Sequence, residues 1–260
     1  LALIYLGIRL NKTEKTKAFA KETAENQKKA AANAPSREVD RSPIAPLDDL
    51  SLELGLGLLQ LVDKEKGAEL LERITRMRRE SALDLGLVVP PIRIIDNTRL
   101  EPSEYSFKIK GVEIGRSKIR MGCYMCMDTG GVINKIAGEP TVEPAFNLPA
   151  IWVTEDKREE AERSGYSVID PPTIIATHLT ELIKKYAADI LGRQEVKAML
   201  DALQEKYPAV VEETTKIFTM GQIQKVLQGL LKEQVSIRNL VVILETISDF
   251  GGVTKDTFDL

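Results

Sequence analysis

Two cysteines and one histidine are the only side chains in these 260 residues suited to thiol chemistry, soft metal ligation or proton transfer near neutral pH. The cysteines, Cys123 and Cys126, are spaced C-x-x-C. A thiol oxidoreductase would open a helix with that motif, and a structural zinc site would need a second ligand pair. Ile119 to Met127 read instead as a strand, where residues three apart point to opposite faces. Both cysteines are therefore expected to be small apolar strand residues, reduced and unpaired as befits a cytoplasmic compartment. His178 falls on the apolar stripe of a helix, beside Thr177, with no Cys or Asp at ligand spacing. A satisfied core or interface histidine is the expectation.

Phosphate chemistry finds no better footing. The sequence has no G-x-x-x-x-G-K-[ST], and Leu54-Gly55-Leu56-Gly57-Leu58 lacks the third glycine and helix start of a dinucleotide fingerprint. Arg73, Arg76, Arg78 and Arg79 cluster on one helix and are expected to form a solvated face pairing with Glu69, Glu72 and Glu80. A phosphate or acidic partner is the alternative. A net charge of −3 and a pI near 5.5 argue against a nucleic-acid-binding module, the competing class suggested by the helical C-terminal part. No catalytic residue, metal ligand or cofactor site is assigned, which favours a binding or structural protein over an enzyme.

The elements that would position a binding site follow from periodicity. Residues 1–8, LALIYLGI, are too short to span a bilayer by themselves. With Arg9 and Lys12 behind them they read either as the end of a membrane helix or as a chain end without meaning. Residues 11–43 are rich in Lys, Glu and Ala, with Phe19 the only large apolar side chain, and form a charged linker. Alternating leucines from Leu50 to Leu58 predict a strand. Gly67 to Leu85 is an amphipathic helix closed by Gly86, Val88 to Ile95 a second strand, and Tyr105, Phe107 and Ile109 alternate in a third. A β-rich stretch with a short helix capped by Thr154 and ending at Gly165 follows, and Asp170-Pro171-Pro172 launches a long helix. From Arg193 only helices remain, at 193–206, 209–217, 219–232 and 236–248, the third opened by a Thr219/Gln222 capping box. FGGVTKDTFDL reads as the start of another helix with nothing after it. The fold class is α+β: a small α/β core with a β-rich insertion, then an all-α unit.

One stretch offers a surface. TVEPAFNLPAIWV (141–153) places Phe146 between Pro144 and Pro149, just before a strand. Each proline fixes its own φ and biases its predecessor towards extended backbone, so the loop is stiff. Phe146 either plugs the core beneath the strand or waits for a partner.

LVVPPIRIIDN (87–97), YSFKIKGVEIG (105–115), EPAFNLPAIWV (143–153), IIATHLTELI (174–183), LGRQEVKAMLD (191–201) and KVLQGLLKEQVSIRNLVVILETI (225–247) together resemble the type III secretion export-gate family, most closely its flagellar branch. The likeness runs in order over about residues 47–255. It implies an inner-membrane protein, with residues 1–10 the end of the last transmembrane helix and 11–46 a flexible linker. It further implies a core at 47–121 plus 171–190, an insertion at 122–170, and a helical subdomain at 191–260, with a fourth subdomain absent. The family forms a ring, nonameric, on the cytoplasmic side, and receives chaperone–substrate complexes and export ATPase components beside other gate membrane proteins. A virulence-type homologue is the neighbouring alternative. In the family an acidic residue and a phenylalanine of D-P-A-F and a threonine of A-T-H-L line a docking cleft between insertion and core. Carried over, these are Glu143, Phe146 and Thr177, with Pro144 between the first two. Glu143 departs from the family's Asp by one methylene.

Overall fold

The computed structural model describes residues 47–257 apart from Lys64 and Lys66. The expected membrane-helix end and the charged linker lie outside those residues.

The first sheet is built around β1 (Leu50–Leu54). Helix α1 (Glu69–Leu85) carries the chain over to β2 (Ile92–Asp96), which pairs parallel to β1, as a parallel neighbour requires a crossover. β3 (Glu104–Ile109) and β4 (Val112–Lys118) add antiparallel, giving the order β2-β1-β3-β4. Lys110 and Gly111, both at positive φ, make the β3–β4 turn tight. Cross-strand pairs Leu50 with Ile109, Leu52 with Phe107 and Leu54 with Tyr105 are all buried. Against them lie α1, through Leu70, Ile74 and Met77, and α3 (Pro171–Lys185), through Ile174, Ile175, Leu179 and Ile183. The long helix expected from Asp170 stops at Tyr186, followed by the single turn α4 (Ala187–Ile190).

Three expectations here need correction. The leucine alternation does not make one strand: Leu56–Leu61 is a 3-10 turn. Gly55 and Gly57 donate N–H to the carbonyls of Glu104 and Pro102, and a Cβ on Gly55 would come within 2.0 Å of the Glu101 carbonyl oxygen. These glycines serve a close backbone approach. The second strand begins only at Ile92, because Pro90 and Pro91 have no N–H to give a ladder. Residues 119–127 are not continuous strand either; β4 ends at Lys118 and β5 starts at Cys123, after Gly122 at φ +74°.

The second sheet has the order β6-β7-β5-β8, all antiparallel: β5 (Cys123–Met127), β6 (Glu139–Val142), β7 (Pro149–Thr154) and β8 (Ser167–Ile169). The two faces of β5 and β7 serve different clusters. Met125, Ala150 and Trp152 join the main core, while Cys126 and Val153 pack on Ala161 of α2 (Arg158–Arg163) in a small cluster of their own. Thr154 precedes a 3-10 turn, and its side chain makes no capping bond.

Helices α5 (Arg193–Gln204), α6 (Pro208–Ile217), α7 (Met220–Lys232) and α8 (Leu240–Phe250) follow. The last begins four residues later than the periodicity suggests, and residues 251–257 form turns in place of a new helix. Val196, Leu200, Leu227, Leu244 and Ile247 belong to the same apolar cluster as the first sheet. Gly86 at φ +75° sits where a Cβ would meet the Arg238 backbone nitrogen at 2.3 Å, and Ile237 N–H donates to Leu85. The α1 terminus is thereby joined to the segment entering α8.

The capping box at α7 is present. Thr219 N–H donates to Gln222 Oε1 at 2.9 Å, and Gln222 N–H donates to Thr219 Oγ1 at 3.4 Å. Thr219→Ala is expected to remove about 1 kcal/mol and lower the thermal midpoint by roughly 2–4 °C. Differential scanning calorimetry checks it; an unchanged midpoint would show that tertiary packing alone holds that helix end.

Candidate docking site

Glu143 to Leu148 link β6 to β7. The loop is closed on itself. Glu143 N–H donates to the Leu148 carbonyl at 2.9 Å, and Asn147 at φ +56° supplies the left-handed residue the reversal needs. The Glu143 carboxylate then accepts twice from its own loop: from Ala145 N–H at 2.9 Å on Oε1, and from Phe146 N–H at 2.7 Å on Oε2. Bonds from backbone donors to a carboxylate are charge-assisted and stronger than neutral ones. They fix the two residues that carry the aromatic ring outward.

Phe146 is 54% exposed, with Val142 and Leu148 exposed beside it. The core-plug reading of Phe146 is thus set aside. Pro144 is partly buried and Pro149 exposed at the first residue of β7. Glu143 is the surprise. Expected to present its charge to a visitor, it is only 2% exposed, and its oxygens are taken by the loop's own amides.

Thr177 is partly buried on α3, one residue before His178. His178 is buried, its Nδ1 2.7 Å from Tyr105 Oη, with the two rings edge to face at 5.8 Å. Tyr105 was legible only as a buried strand residue; nothing near it in sequence announces the pairing. Burial pushes the Tyr105 phenol up, and the Glu143 charge adds to this. Burial pushes His178 down while the same Glu143 charge pulls it up.

The lowered His178 has a pH consequence. Between its folded-state value and the unfolded value of about 6.5, the unfolded chain binds a proton that the folded chain refuses. Stability is then full above about pH 6.5 and falls as pH drops through the lowered value. Thermal melts from pH 7.5 to 5 are expected to show a steeper decline for the parent chain than for His178→Asn. Parallel declines would mean that His178 does not titrate differently on folding.

A cleft of about 460 Å³ separates core from insertion, lined among others by Leu61, Glu69, Tyr124, Arg158 and Asp170. None of Glu143, Pro144, Phe146 and Thr177 lines it, so the exposed loop and this cleft are distinct features. Asp170 caps α3 by accepting from Thr173 N–H, and it pairs with Arg73 at 2.5 Å. Arg78 donates to the Val89 carbonyl, whereas Arg76 and Arg79 face solvent. The expected pairing with Glu69, Glu72 and Glu80 does not occur among the described residues. Cys126 is buried, its thiol pushed up to about 11 by burial, and Cys123 packs on the opposite face of the same strand, which is not the geometry of a redox C-x-x-C. Among the described residues no group of three His, Cys, Asp or Glu is placed to hold a metal ion.

The FHIPEP family profile matches residues 1–260. The flagellar biosynthesis protein FlhA of Treponema pallidum is 53% identical over 254 residues, covering 97% of this chain and 36% of that protein. The chain thus spans about a third of that relative's length. Among solved structures, the Chlamydia pneumoniae CdsV and CdsO protein complex matches with a TM-score of 0.71 at 26% identity, covering 83% of this chain and 64% of that one. The nonameric EPEC SctV-C matches with a TM-score of 0.61 at 21% identity, covering 82% and 63%.

Proposed function

The chain belongs to the FHIPEP family, and from that premise we propose that it is the docking platform of a flagellar type III export gate, receiving export chaperone–substrate complexes at the Glu143–Leu148 loop. The observation that carries the reading is Phe146: a large apolar side chain, half exposed, on a loop whose backbone is already fixed by Glu143. A pre-ordered aromatic pays little conformational entropy on binding, and such residues dominate interface energetics. Phe146 supplies the apolar contact, with Pro144 and Pro149 restricting the loop. Thr177 on α3 adds a polar contact. Glu143 acts from beneath, as the residue that shapes the loop.

Identity favours the flagellar branch: 53% to the Treponema protein against 26% to CdsV. Export ATPase components and other gate membrane proteins are further proposed partners, in keeping with a relative solved as a complex with CdsO. Assembly into a ring, nonameric like SctV-C, is proposed for the same chain. Its place is the bacterial inner membrane, with this portion on the cytoplasmic side. Among the described residues no helix is long and apolar enough to cross a membrane. The role requires binding without bond making, so no enzymatic activity is assigned.

Titration of the chain with a fluorescently labelled flagellar chaperone–substrate complex tests the proposal. Saturable binding that the folded chain shows and the heat-denatured chain lacks is expected. Absence of binding at micromolar concentrations by a folded chain would overturn it.

A further inference from the structure

Strand β6 is an edge of the second sheet, and its outer side has no strand partner among the described residues. Its pairing with β7 decides which backbone groups face outward. Val142 stands opposite Pro149 and Pro140 opposite Ile151. Glu143 N–H donates to the Leu148 carbonyl, so Val142 and Pro149 form the non-hydrogen-bonded pair beside that bond. Alternation makes Pro140 and Ile151 another such pair. Both β6 residues therefore turn their backbone groups away from β7. Val142 points an N–H and a carbonyl outward; Pro140 points a carbonyl and has no N–H to give. Both residues are exposed, Val142 at 55%.

Proline and shortness are common ways of blunting a sheet edge. Here the proline also sets a register. A visiting carbonyl finds a donor at Val142 and none at Pro140, so a slip of two residues along the edge loses that bond.

A second copy of this edge is a poor match for the first. Antiparallel pairing of two β6 strands about Val142 makes two bonds and sets each Pro140 carbonyl opposite Pro144, which has no N–H. Pairing about Thr141 again makes two and leaves each Val142 carbonyl opposite a Pro140. A foreign strand without proline at those positions makes three: its carbonyl accepts from Val142, and two of its N–H groups donate to Val142 and Pro140. Past Val142 such a strand runs beside Glu143, whose carboxylate holds the Phe146 amide.

Resting on the docking reading above, we infer that the outer edge of β6 receives an extended segment of the export chaperone–substrate complex, which adds to the second sheet as a further strand and leads up to the loop that carries Phe146. Main-chain bonds of this kind do not depend on the visitor's side chains, whereas the exposed side chains of Val142 and Phe146 favour apolar ones. One edge thereby serves segments of different sequence.

Amide hydrogen exchange resolved to single residues, on the full chain with and without a purified flagellar chaperone–substrate complex, tests this. Exchange at Val142 is expected to slow at least about tenfold on binding. Thr141, which the same alternation bonds to Ala150 of β7, is expected to change little. Val142→Pro deletes the outward N–H, costs no bond between β6 and β7, and puts proline where an edge strand tolerates it. It is expected to bind about fivefold more weakly or worse. Val142→Thr keeps the N–H and the branched shape and is expected to bind as the parent chain does. Should Val142→Pro melt below the parent chain, exchange at Val142 in the parent decides. Binding with the Val142 amide unprotected, or with Val142→Pro at parental affinity and unchanged melting, would overturn this inference and leave the docking reading standing. No binding by the folded parent chain would overturn both. Protection of Val142 on concentrating the chain alone would give the edge to a second copy and overturn the inference as well.

Discussion

Phe146→Ala is expected to weaken binding of a chaperone–substrate complex by roughly 1.5–3 kcal/mol, about 10- to 150-fold, with the thermal midpoint within about 2 °C of the parent chain. The two halves of this result come from one fact, that the ring is 54% exposed in the unbound chain. Little apolar burial is lost to the fold when it is removed. The contact it would make with a visitor is lost in full, and the loop beneath needs no reordering, because Glu143 and not the ring fixes its backbone. Isothermal titration calorimetry beside a melting curve separates the contributions. A midpoint several degrees lower, with affinity lost in proportion, would return Phe146 to the fold.

Glu143→Ala has the second largest expected effect, and it works through geometry. Two charge-assisted bonds disappear, each of a kind that contributes about 1.5–3 kcal/mol. The amides of Ala145 and Phe146 can turn to water instead, because that part of the loop is only partly buried. Removing a buried carboxylate also relieves its desolvation cost, so folding stability changes less than the lost bonds suggest. Affinity is expected to fall about tenfold or more although no contact atom on Phe146 has changed. Glu143→Gln should fall between: its amide oxygen accepts one of the two bonds, while its NH2 opposes the other donor. Equal affinity for parent, Gln and Ala chains would show that a carboxylate beneath the loop is irrelevant to docking.

How far the sequence reveals this arrangement depends on whether a feature is local. Leucines 50, 52 and 54 and Tyr105, Phe107 and Ile109 alternate because one face of each strand is buried, and the ladder pairs them with each other. Thr219 and Gln222 announce a helix start by spacing alone, and the structure makes both bonds. Leu56 and Leu58 continue the same alternation for another reason, since Gly55 and Gly57 there let the chain turn against Pro102. Composition cannot tell a strand from a close approach when glycines occupy every second position.

The site divides along the same line. Prolines around Phe146 are visible as a stiff loop, and the ring is indeed exposed. The inward turn of Glu143 carries a faint signal, a carboxylate two and three residues before the amides it receives, the spacing by which short polar side chains capture nearby backbone donors. The Tyr105–His178 bond carries none, because 73 positions separate its partners and only the packing of α3 on the first sheet brings them together. Thr177's place on the helix is legible by periodicity; its docking role is a proposal that rests on likeness to the family.

The central claim is that visiting proteins touch the ring at position 146. Photo-crosslinking from that position, with Phe146 replaced by p-benzoylphenylalanine in the full chain and a purified chaperone–substrate complex added, addresses it most directly. A light-dependent adduct to the chaperone or its cargo, competed away by unlabelled parent chain, is expected. Binding that persists with crosslinks formed only inside the chain would place the contact elsewhere and contradict the claim.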